Sequence, residues 1–71
     1  MKLYKLRWTN EGIMWRRGGY VILRPSRANP GIWGLRKVGS APGKQAHTFE
    51  GDFTSEKEAF QEGNKAVRRD R

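Results

Sequence analysis

The 71-residue sequence contains no cysteine. That absence removes disulfides, thiolate nucleophiles and the common zinc frameworks, and nothing points to an oxidising compartment. A cytoplasmic location is expected, nucleoid-associated if the protein binds DNA. Acidic residues are few: seven Asp and Glu face fifteen Lys and Arg, for a net charge of +8 at pH 7. One histidine, no cysteine and acids gathered in the C-terminal third leave little for paired acid and base chemistry, so no enzyme, metal or cofactor is expected. Long apolar runs are missing too, and neither a signal segment nor a membrane span is predicted. Aliphatic residues are scarce, with Leu, Ile, Val and Phe numbering only thirteen. Such a chain sits near the boundary of foldability, and its three Trp and two Tyr must supply much of the core. The length allows one small domain spanning residues 1–71.

What is present reads as strands followed by a helix. Tyr4, Leu6 and Trp8 alternate with Leu3, Lys5 and Arg7, which predicts a half-buried strand over residues 2–8 and a turn over 9–12. Gly18-Gly19 separates two short runs, 13–17 and 20–24. A two-residue hairpin there would set Trp15 opposite Ile22; the alternative is one irregular loop over 12–19. Residues 25–31, with Pro25, Pro30 and Gly31, form a loop before a strand over 32–38. A flexible connection over 39–45 leads to a short strand over 46–50, completing a meander over 20–50. Glu50 and Asp52 flank Gly51 on an expected turn.

The helix is the clearest element. Ser55 and Glu58 have capping-box spacing, in which hydroxyl and carboxylate each satisfy a backbone N–H. Ala59, Phe60, Gly63, Ala66 and Val67 then form one helical stripe, predicting a helix over about 56–68 and a basic tail at 69–71. Glycine costs about 1 kcal/mol against alanine inside a helix, so Gly63 on the buried stripe implies close approach of helix to sheet. The expected fold is therefore α+β: an antiparallel sheet of three to five short strands packed on one C-terminal α-helix.

The stretch Gly51 to Ala59 reads G-x-F-x-[ST]-x-x-E-A where a strand gives way to a helix. It resembles the same junction in the APETALA or ethylene-response-factor DNA-binding domain and in the arm-type N-terminal domain of tyrosine integrases. Tyr20 with Arg24, Trp33 with Arg36, and the basic turn Gly43-Lys44 extend the resemblance over about residues 20–68. It implies three antiparallel strands on a helix, DNA binding through the sheet and, from the integrase side, an accessory role in a phage or mobile element. Val21 and Ile22 stand where the APETALA type has arginine and glycine, so its base-reading arginine set is incomplete.

Arg16, Arg17, Arg24, Arg27, Arg36, Lys37 and Lys44 cluster on the predicted strands and loops, away from the acidic helix start. Cations on a sheet face neutralise phosphates and release counterions. Tryptophans here are first of all core material; Trp15, between two arginines and a glycine pair, is the one expected at the surface, stacking on a base. The expected function is non-catalytic nucleic-acid binding, to DNA rather than RNA, with little sequence preference. The rival is a module that holds an acidic protein partner.

Overall fold

The computed structural model describes residues 2–39 and 47–70. Their five strands are β1 (Thr9–Asn10), β2 (Met14–Arg17), β3 (Tyr20–Leu23), β4 (Trp33–Val38) and β5 (His47–Phe53), followed by helix α1 (Glu56–Arg69). The sheet is an antiparallel meander in sequence order. The α+β reading holds, with strands before a single C-terminal helix.

The β2–β3 hairpin wins over the irregular loop. Gly18 takes a φ of +58°, which its missing Cβ permits, and the two-residue turn sets Arg17 opposite Tyr20 and Trp15 opposite Ile22. Tyr20 and Ile22 then share the helix-facing side with Trp33 and Leu35, while Val21 and Arg36 face away.

α1 begins where its cap predicts. The Ser55 hydroxyl accepts from the Glu58 amide at 3.3 Å. The reciprocal bond, donated by the Ser55 amide to the Glu58 carboxylate, is not formed among the described residues, and the helix extends through Arg69, which therefore belongs to it rather than to a tail. Ala59, Phe60, Gly63 and Ala66 are its buried residues. Phe60 lies at the centre of the core, with Tyr4, Trp8, Trp15 and Trp33 rings at centroid distances of 5.4 to 6.4 Å. Aromatic area replaces the missing aliphatics, as the composition requires.

Three expectations fail. Residues 2–8 are not a strand: Leu3–Lys5 form a 3-10 turn, closed by bonds from the Lys5 and Leu6 amides to the carbonyls of Lys2 and Leu3. The alternation is helical spacing in disguise. Tyr4 and Trp8, four apart, turn inward against Phe60, while Leu6 stays exposed. Side chains of α1 hold this segment: Tyr4 donates to Glu56 Oε1 at 3.0 Å, and Trp8 Nε1 to Asn64 Oδ1 at 2.7 Å. The strand follows at Thr9–Asn10, where a turn was expected.

Nor does Gly51 mark a turn. It lies inside β5, beside a bulge: Leu35 pairs with Gly51 but Arg36 with Phe49, leaving Glu50 as the extra residue. Period two would put Phe49, Gly51 and Phe53 on one side. The bulge reverses the alternation, so Phe53 faces α1 and Phe49 the opposite side, where it is 61% exposed. No described helix is long and apolar enough to cross a membrane.

Candidate nucleic-acid interface

Among the described elements, α1 covers one side of the sheet and none packs on the other. Across the open side runs one row of cross-strand neighbours, Thr9, Arg16, Val21, Arg36 and Phe49, each from a different strand. Val21 has no exposed surface, and its cross-strand neighbours on this side are the long side chains of Arg16 and Arg36. The Arg36 guanidinium stands 4.7 Å from the Phe49 ring centre, a cation–π contact. Its Nη1 donates to the carbonyls of Leu35 and Gly51 and pairs with Asp52 at 3.1 Å. It folds over Gly34, where a Cβ would lie 3.1 Å from Nη1. Arg16 Nε donates to both carboxylate oxygens of Glu11, at 3.1 and 3.2 Å. Each open-face arginine is thus held in place by a surface carboxylate.

The remaining predicted residues lie elsewhere. Arg17 and Lys37 point to the same side as α1, Arg17 donating to Asn64 at 2.7 Å and Lys37 pairing with Asp70 at 3.1 Å. Arg24 braces the turn before β2, donating to the Gly12 carbonyl and to Asn10. Arg27 is exposed in the loop after β3, without an ion-pair partner among the described residues. Lys44 falls outside the described residues. Trp15 is not the surface ring expected: like Trp33 it is half-buried and packed on Phe60, with Lys5 on its ring at 4.7 Å and Arg24 at 5.3 Å. The arginines beside it in sequence turn elsewhere, Arg16 to Glu11 and Arg17 to Asn64, and the cations on its ring come from other parts of the chain. The structure therefore brings Arg16 and Arg36 together and separates them from Arg17, Arg24 and Lys37.

Phe49 escaped the sequence reading because only the bulge turns it outward, although a glycine inside a strand pattern, here Gly51, is a signal for one. No cluster of three or more His, Asp or Glu able to hold a metal occurs among the described residues. Family models, curated proteins and solved structures give no match to the chain.

Two carboxylates tie stability to pH. At Glu56 burial acts to raise the pKa, but hydrogen bonds from Lys5 and Tyr4, with nearby Lys2, outweigh it and the net shift is downward. Asp70 is held down by the Tyr20 hydroxyl and by Lys37. Groups whose folded pKa is depressed stabilise the fold above their unfolded pKa, and that contribution is lost as pH falls through the folded one. The melting temperature is expected to be insensitive to these two groups near neutral pH and to drop below about pH 4. In a Glu56→Gln, Asp70→Asn double variant that acid-side drop becomes shallower; an unchanged slope would show that other carboxylates govern it.

Proposed function

We propose that the protein binds duplex DNA through the open sheet face, with little sequence preference. The observation that carries this reading is the row Arg16, Val21, Arg36, Phe49 on an uncovered face of a chain with net charge +8. Arg16 and Arg36 stand two strands apart, about 10 Å at ordinary strand spacing. The major groove is about 12 Å wide, so the two guanidinium groups address its opposite walls while the face lies over it.

Exposed ion pairs contribute little, about 0 to 1 kcal/mol, so exchange of Glu11 or Asp52 for a phosphate is cheap. The guanidinium fork then makes paired hydrogen bonds to phosphate oxygens. Val21 contributes no donor for base edges and only two arginines occupy the row, which favours backbone contact over base reading.

Fluorescence anisotropy of a labelled random duplex, titrated with salt, tests this reading. Arg16→Gln and Arg36→Gln should each weaken binding and lower the salt slope by about 1. Glu11→Gln and Asp52→Asn should tighten it, by up to about fivefold if the competing pair is worth the upper end of the surface range. Binding that ignores all four substitutions would move the interface off this face. Absence of binding to any nucleic acid at low salt would leave the acidic protein partner as the reading to test.

A further inference from the structure

A second cationic surface lies on the other side of the sheet, at the end where β2 turns into β3. Arg17, Tyr20 and Lys37 are cross-strand neighbours on β2, β3 and β4. With Arg7, the Gly18-Gly19 turn, Val67 and Asp70 they line a groove of about 550 Å³. That volume suits a small organic ligand rather than a single ion.

Its groups are set in place by the fold. Arg17 Nη1 donates at 2.7 Å to Asn64 Oδ1, which also accepts from Trp8 Nε1, while Asn64 Nδ2 donates to the Tyr4 carbonyl. One side chain of α1 therefore fixes both the core tryptophan and the direction of the groove's arginine. Arg7 has no ion-pair partner among the described residues. Among the described residues lining the groove the single anion is the Asp70 carboxylate, which accepts from the Tyr20 hydroxyl and pairs with Lys37 at 3.1 Å. The C-terminal end of α1 adds roughly half a negative charge. Three cations still exceed the carboxylate and the helix end together.

We propose that this groove binds a phosphate ester, and that the Asp70 carboxylate occupies the phosphate position until the ligand displaces it. Two guanidinium groups match phosphate geometry through paired donors, and Lys37, once released from Asp70, supplies a point charge. The groove shares no residue with the open-face row, so the proposal stands or falls independently of that reading.

The test is an amide-resolved NMR titration of the intact protein with pyrophosphate, then with a mononucleotide, then with a 12-base-pair duplex. Saturable shifts at Gly18, Gly19 and Tyr20 are expected with the mononucleotide or the duplex. Asp70→Asn should tighten that binding by about tenfold, the worth of one charge-assisted hydrogen bond relinquished by a competitor. Arg7→Gln, an exposed substitution that leaves the core untouched, should weaken it, and Lys37→Gln should do so independently. Arg16→Gln should not affect it. Shifts with the mononucleotide and not the duplex identify a free phosphate ester as ligand, and shifts with the duplex that survive Arg16→Gln identify a nucleic-acid phosphate; either result supports the site, and shifts with pyrophosphate alone would overturn the ester assignment. Absence of saturable groove shifts with all three probes, or equal affinities in wild type, Asp70→Asn and Arg7→Gln, would overturn it.

Discussion

Replacing Phe60 with alanine should abolish the cooperative thermal transition at ordinary temperatures. Its ring has no exposed surface and is the one on which Tyr4, Trp8, Trp15 and Trp33 all converge. Truncating a buried phenylalanine costs about 3 to 5 kcal/mol, part from lost transfer energy and part from the cavity left behind. Four rigid rings cannot collapse into that cavity as flexible aliphatics would. At roughly 0.05 to 0.15 kcal/mol per residue, a domain of this size holds about 4 to 11 kcal/mol in all, and one so poor in aliphatic residues sits toward the lower end. A melt displaced by only a few degrees would show that the cluster does not depend on its centre.

Gly63→Ala should destabilise the protein, against the usual direction for a helix interior. Helix propensity alone favours alanine by about 1 kcal/mol. A Cβ at Gly63, however, would sit 2.7 Å from Trp8 Cζ2, 2.9 Å from Cη2 and 3.3 Å from Ile22 Cδ1. The indole cannot swing away cheaply, because its Nε1 is bonded to Asn64 one residue further along the same helix. Overpacking of this kind costs about 1 to 3 kcal/mol, enough to reverse the sign. Gly63→Val, larger and β-branched, should be worse. Denaturant midpoints of the two variants decide the matter, and a gain in stability for alanine would mean that Trp8 has freedom to move.

Local signals were legible and long-range ones were not. The cap at Ser55 and the stripe through Phe60 depend on residues within a turn or two, so spacing alone finds them, whereas spacing at Gly18-Gly19 left a hairpin and an irregular loop both open until strand pairing decided. Gly63 announced a close approach, but its partner Trp8 lies 55 positions earlier and no local pattern names it. The 3-10 turn at Leu3–Lys5 read as a strand because two periodicities coincide at Tyr4 and Trp8, and contacts with α1 decided between them. At the candidate interface, alternation placed Arg36 and Lys37 on opposite sides correctly, yet charge alone could not say that the helix side would take Lys37. Trp15 misled for a related reason: the arginines next to it in sequence do not touch its ring, and the cations that do, Lys5 and Arg24, lie about ten positions away on either side.

The clasp between Tyr4, Trp8 and α1 also sets an order of events during synthesis. The bonds that hold it join residues 52 to 60 positions apart. At translation rates of about 5 to 20 residues per second, Trp8 waits roughly 3 to 11 s before Asn64 follows it out of the ribosome. The β2–β3 hairpin, closing within microseconds, forms meanwhile, but Phe60 has yet to arrive and the hairpin's aromatic side faces water. Core formation consequently waits until α1 has emerged. Until then the nascent chain is kept from its neighbours chiefly by its positive charge, since all but one of the acidic residues, Glu11, are encoded after residue 49.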